Sequence, residues 1–269
     1  MDITTTAETT YSPLTAVVNV LRSEFCKLRT VRSTFWALFT AVASNVGVAA
    51  LLAIFVSGRL TASQKATTDV VRLTLGGLHI SQVAIGVLGV LVISSEYSTG
   101  MIRATLSAVP RRRLVLAAKT AVFTAVSLVF GIASSFAAYF TFQALRSGNS
   151  LSAALGDPGV LRAVVGGGLY LGVIGLLGLG LGAIIRAPAG AIAALLGVMF
   201  VPPLLSDLLP NSWQTAIGPY LPLNAGGQIY IASRFDPNTL APWTGLGVFC
   251  LYAAAALAIG ALLINHRDA

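Results

Sequence analysis

Few side chains in this 269-residue sequence could do chemistry. It holds two histidines, His79 and His266, two cysteines, Cys26 and Cys250, and nine carboxylates. A nucleophilic site needs a base beside the nucleophile and a third group to orient that base. No carboxylate falls inside the apolar run around His79 to orient it, and His266 belongs to the C-terminal tail. Neither cysteine has the neighbouring Cys or His of a metal site. Cys26 sits among Arg22, Lys27, Arg29 and Arg32, and Cys250 lies within an apolar run, so both read as unpaired thiols. No Gly-x-x-x-x-Gly-Lys-Ser/Thr phosphate loop occurs, which closes that route to ATP. The expectation is a non-catalytic chain with no cofactor and no metal of its own.

The elements around these residues belong to a bilayer. The chain is 56% hydrophobic and only 10% charged, against roughly 25% charged for a soluble domain. The net charge of +8 could suggest nucleic acid, but the basic residues fall between long apolar runs rather than on one soluble face. Six runs are long enough to cross a hydrocarbon core about 30 Å thick: 33–56, 73–94, 120–144, 163–185, 189–209 and 243–264. The fold class is therefore all-α and polytopic, with six transmembrane helices preceded by an amphipathic interfacial helix over 13–30. In that helix Leu14, Val17, Val18, Leu21, Phe25 and Leu28 recur at steps of three and four, a single apolar face. Residues 1–12 are Thr-rich and polar and read as a disordered tail, not as a signal peptide. The transmembrane domain then runs over 31–269.

Orientation follows from basic residues in the connections. With both termini cytoplasmic, eleven of the 17 Lys and Arg residues fall inside and six outside. The triple arginine Arg111–Arg113 carries most of that bias. The connection 95–119 is long and has its own pattern: Glu96 at the membrane edge, a break at Gly100, a short helix from Met101 to Ala108, then Pro110 and the arginines. A rigid knob between two spans is placed to pass a push from a soluble partner into the membrane. Arginines that merely hold a loop inside would leave the same pattern. On the other side, 210–242 forms a long extracellular loop carrying Trp213, Tyr220 and Tyr230, aromatics suited to an interface, and a partly re-entrant pair of short helices fits it.

The run EYSTGMIRATLSAVPRRR resembles the coupling loop of ABC-2 type transporter permeases, especially actinobacterial ones, and RSEFCKLRTVRSTFW resembles their elbow helix entering the first span. The resemblance implies a transmembrane permease subunit of an ATP-driven exporter in a bacterial plasma membrane. It implies two copies of a separate ATPase subunit that hold ATP and Mg, and a second permease protomer, identical or not. Carried onto this sequence, the ATPase-facing residues would be Glu96, Tyr97, Thr99, Gly100, Met101, Arg103, Pro110, Arg111, Arg112 and Arg113, with Glu24, Lys27 and Arg29 on the elbow. A substrate path between spans two and five would draw on His79, Ser81, Gln82, Met199 and Phe200. The stretch Leu223-Asn224-Ala225-Gly226-Gly227-Gln228 looks like an ABC ATPase signature, but without a phosphate loop it is a chance match.

Other readings attach to the same residues. His79, Ser81 and Gln82 could line a cavity or simply bond between helices. Asp207, after Pro202 and Pro203, could mark a gate or an interfacial acid. The pairs Gly168/Gly172 and Gly178/Gly182 let helices approach closely, within one protomer or between two. The alternative function is a self-sufficient secondary transporter, which would place acids or broken helices at the midplane; mid-span acids and inverted repeats are absent from the sequence. An intramembrane enzyme is weaker still, for the reason given for His79.

Overall fold

The computed structural model describes residues 13–56, 69–108, 112–146, 153–206, 208–233 and 238–266. The expectations for residues 1–12, Pro110, Arg111 and Asp207 lie outside them. The described residues form eleven α-helices with short 3₁₀ and π turns and no strand. They are α1 (Pro13–Thr30), α2 (Arg32–Leu51, continued by a π turn Leu52–Val56), α3 (Val70–Thr74), α4 (Leu78–Ser98), α5 (Met101–Ala108) and α6 (Arg112–Arg146). After them come α7 (Val160–Ile185), α8 (Pro188–Ser206), α9 (Asn211–Ile217), α10 (Pro222–Gly227) and α11 (Pro242–His266). Six helices are long and apolar enough to cross a membrane: α2 with its π turn, α4, α6, α7, α8 and α11. The chain is an all-α polytopic membrane protein.

Several boundaries differ from the sequence reading, each for a local reason. α1 and α2 are separated by Val31 alone, held extended at φ −80°, ψ 119°, a conformation that suits a β-branched residue. Span two does not run straight from Leu73; it breaks at Leu75–Gly77 before α4 begins. A Cβ on Gly77 would stand 2.4 Å from Asn45 Cα, so the break lets α2 cross at backbone distance. The connection 95–119 is mostly helix. Glu96 and Tyr97 belong to the last turn of α4, and Lys119 lies two turns inside α6. At 35 residues α6 is about 52 Å long, well beyond a hydrocarbon core about 30 Å thick. α8 ends at Ser206, soon after Pro202 and Pro203, which withdraw their N–H groups from the helical ladder.

α7 is the most buried span and packs against α4, α6, α8 and α11. Its glycines face several neighbours at once. Gly168 and Gly172 meet Ile132 and Leu128 of α6, and Gly178 and Gly182 meet Gly86 and Ile93 of α4. Gly180 meets Ala256 of α11. Both small-residue pairs are therefore spent on packing inside the protomer. A Cβ would stand 2.2 Å from Gly86 O at Gly178, and 2.1 Å from Gly175 O at Gly89.

The segment after α8 folds back onto the bundle through the short helices α9 and α10. Trp213 and Tyr220 are exposed, but Tyr230 is buried against Tyr170, their rings 5.3 Å apart and edge to face. Burial pushes the Tyr230 phenol up to about 12. Arg162 ties this segment to α7, donating to the carbonyls of Ile229, Ile231 and Ala232. Asp69 accepts from the backbone N–H and hydroxyl of Ser233 at 2.8 and 3.0 Å.

Replacing Gly178 by Ala must push α4 and α7 apart, an overpacking cost of about 1–3 kcal/mol. Gly197→Ala, where nothing lies within 4 Å of the new Cβ, should leave stability unchanged or raised, as expected for Gly to Ala in a helix. Thermal unfolding of the two purified variants in one detergent checks the contrast; equal midpoints would remove the glycine contact as a determinant.

Candidate functional site

At the end of the bundle that carries α1, four charged side chains meet in the interior. Lys119 Nζ, from α6, donates to Glu24 Oε2 at 2.6 Å and to Glu96 Oε1 at 2.9 Å. Lys27 Nζ donates to Glu24 Oε1 at 2.8 Å and to Glu96 Oε1 at 3.0 Å, and reaches Thr105 Oγ1 of α5 at 3.3 Å. Glu24, Glu96 and Lys119 are 3%, 5% and 3% exposed. Two carboxylates and two ammonium groups balance, which such burial requires. The cluster joins α1, α4, α5 and α6 at one point.

Each element presents its residue for a local reason. On α1 the apolar stripe is only partly turned to the bundle: Val17, Val18 and Phe25 are exposed, Leu21 and Leu28 are half-buried, and Val20 and Glu24, one turn apart, point inward. The helix is held by its acid, and part of the apolar stripe is left uncovered. Burial alone would lower the Lys27 ammonium, but Glu24 and Glu96 more than offset it and hold Lys27 above the usual lysine range. α4 ends at Thr99, and Gly100 follows at φ +73°, a left-handed conformation glycine adopts without strain. That turn starts α5 at Met101, with Arg103 N–H bonded back to Gly100 O at 3.2 Å. α5 seats Ile102 inward, 6% exposed, and leaves Met101 half-exposed and Arg103 exposed.

A second set of contacts closes the same end. The Arg186 guanidinium lies 4.8 Å from the centre of the Tyr97 ring, a cation–π distance, and donates to Leu263 O at 3.2 Å. Arg112 donates to Ile264 O at 3.0 Å. Both arginines thus satisfy late carbonyls of α11, where a helix C-terminus favours cations. Arg186 caps α7 at φ +63° and is the only non-glycine residue with positive φ among those described.

The sequence-derived candidates divide by direction. Glu24, Lys27 and Glu96 turn inward to the ion cluster, and Tyr97 sits beneath Arg186. Arg29, Thr99, Gly100, Met101, Arg103 and Arg113 are exposed. Arg112 is part-buried against α11. The path candidates are not brought to one surface. Ser81 donates to Ala41 O at 2.6 Å and lies 3.1 Å from Ser44 Oγ, both of α2. Gln82 accepts from the Tyr170 hydroxyl of α7. Both are buried between helices, whereas His79 is exposed with Nδ1 3.1 Å from Gly76 O. On α8, Met199 is buried and Phe200 is 37% exposed.

Sequence reasoning passed over Lys119, Thr105 and Arg186. Lys119 had a signal: it stands alone among Ala-Ala and Thr-Ala-Val, a lysine inside an apolar helix rather than a loop residue, and such residues are rarely idle.

Residues 20–202 match the model of a family described as ABC-2 family transporter protein, a stretch well over half the chain. The chain belongs to the ABC-2 transporter family. No curated protein matches it. The matched stretch of this ABC-2 chain begins on α1 and takes in α4, α5 and α6, so the whole ion cluster lies inside it. ABC-2 permeases are non-catalytic membrane subunits; in this chain the paired ions of the cluster join helices.

Removing one partner from a buried ion pair costs about 3–5 kcal/mol, because the other charge is stranded. Lys119→Ala leaves two buried carboxylates to share Lys27 alone and should lower thermal stability far more than Lys27→Ala, whose side chain is 28% exposed. The unfolding midpoints of both variants in one detergent test this; equal losses would mean that the cluster is not anchored at Lys119.

Proposed function

We propose that this chain is the transmembrane permease subunit of an ATP-driven exporter, with the α1 end facing the cytoplasm and α5 docking on a separate ATPase. The observation that carries the reading is the ion cluster. It ties the short helix α5 to α1 and to the ends of two spans, while α5 turns Met101 and Arg103 toward solvent. An ATPase that grips α5 would pull through Thr105 on Lys27, and through Lys27 on Glu24 and Glu96. Lys119 then passes the displacement to α6. Ion pairs suit this task because their geometry is narrow: a shifted carboxylate takes its ammonium partner along rather than leave it unpaired.

The exposed residues are the docking surface in this reading: Met101 as an apolar anchor, with Arg103, Arg113 and Arg29 as charges around it. The basic excess at this end supports the cytoplasmic assignment. A second protomer completes the pathway, and ATP binding on two ATPase copies would draw the paired α5 helices together and switch access between the bundles. Among the path candidates, Phe200 and His79 are the ones exposed enough to face a shared cavity. Substrate is transported without covalent change; the chain supplies the route and the ATPase the energy.

Arg103→Glu reverses an exposed charge without touching the ion cluster. Affinity for the ATPase should fall at least tenfold, about 1.4 kcal/mol, while membrane insertion and thermal stability stay unchanged. The experiment is mild-detergent purification of the wild-type chain and the variant from native membranes, with the co-purifying subunits identified and their ATPase activity measured. Recovery of a phosphate-loop subunit with the wild type and its loss with the variant supports docking at α5. A wild-type chain that purifies alone in every detergent would overturn the ABC reading and favour a self-sufficient transporter.

A further inference from the structure

A cavity of about 310 Å³ opens between α1, the first turn of α2 and the last turns of α4. That volume lies at the lower end of the range for small-molecule sites, roughly 300–1,000 Å³. Most of its wall is apolar, from Leu28, Val31, Leu88, Leu91, Val92 and Met101. Four buried polar side chains also line it: Thr34 from α2, Glu96 from α4, and the ion-cluster partners Glu24 and Lys119.

Glu96 is bonded on one side only. Its Oε1 takes both ammonium groups, whereas its Oε2 accepts no hydrogen bond from any described residue. An unmet buried carboxylate oxygen is costly and calls for a partner. Glu96 forms part of the cavity wall, so a donor held in the cavity is placed to meet that oxygen. The donor is uncharged, because the two carboxylates and two ammonium groups already balance, and a further ion buried beside them would be unmatched. The rest of the ligand must match apolar walls.

We propose that this cavity binds a neutral amphiphile carrying a free hydroxyl on an aliphatic chain, its hydroxyl donating to Glu96 and its chain lying along Leu28, Leu91 and Val92. The ligand enters beside α1, whose exposed stripe of Val17, Val18 and Phe25 suits the lipid phase from which such a molecule would come. An occupant would hold α1 at a fixed distance from α4. That consequence for coupling rests on the function proposed above; binding itself does not.

The test uses the full chain in detergent, without any ATPase, so it stands or falls separately from the coupling role. A diazirine-bearing aliphatic alcohol is photo-crosslinked to the protein and the labelled residues are mapped by mass spectrometry. Label is expected on α1 and α4 around the cavity. 1-Octanol should compete at least tenfold better than octyl methyl ether, which lacks the donor. Monooctanoylglycerol is run as a second competitor; whichever hydroxyl compound competes at the lower concentration names the source. Leu91→Trp, and separately Val31→Trp, should fill the cavity and cut labelling at least tenfold with the unfolding midpoint unchanged. Equal competition by the ether, label elsewhere, or full labelling of both well-folded variants would overturn the proposal.

Discussion

Lys119 imposes the constraint on which this end of the molecule depends. An ammonium group that is 3% exposed inside a membrane protein must find carboxylates, and no residue near it in sequence can supply them. It finds Glu24 from α1 and Glu96 from α4, 95 and 23 residues away. Those two acids then require a second cation, which Lys27 provides. Ion pairs buried in this way add little net stability over well-packed apolar residues. What they fix is position: α1 has an apolar stripe that lipid would accept in many orientations, and the acid at its edge selects one.

The rest of the bundle is held by different means. Along α7 the helices meet at backbone distance, glycine against glycine carbonyl, and such contacts transmit displacement without slack because the interior has no room to deform. α4 and α6 belong to both regimes. Deep in the bundle they pack on the glycines of α7; at the α1 end they terminate in the ion cluster. Under the proposed function, a pull on α5 therefore enters through charges with a narrow geometry and arrives at helices that move as one packed body.

The sequence made the spans legible because twenty apolar residues in a row have few uses other than crossing a bilayer. It also made α1 and α5 legible, through periodicity in one and Gly100 in the other. The segments between were harder. Residues 112–119 read as loop because arginines suggest solvent, yet they form the first two turns of α6, a helix longer than a span requires. Direction was the larger gap. The Leu14-to-Leu28 stripe marks an apolar face, but only the packed structure shows that the flank carrying Val20 and Glu24 meets the bundle. Ser81 and Gln82 are neighbours in sequence and about 100° apart on a helix, so one meets α2 and the other α7. Tyr230 read as an interfacial aromatic because its neighbours Trp213 and Tyr220 are; Tyr170, sixty residues earlier, buries it instead.

The two roles of charge in this chain are separated by burial. Inside, Glu24, Glu96, Lys27 and Lys119 are matched two against two, because an unmatched ion in a low-dielectric interior would neutralise or unfold its surroundings. Outside, at the same end, Arg22, Arg29, Arg32, Arg103 and Arg113 are exposed. No equal set of acids faces them among the described residues, and the net charge of +8 reflects that imbalance. Balance is what packing requires; imbalance is what membrane orientation and a soluble partner can read. Moving a charge from one set to the other would damage both. A lysine at the surface in place of Lys119 would still count toward topology, while the two acids it left behind would release α1 from the spans.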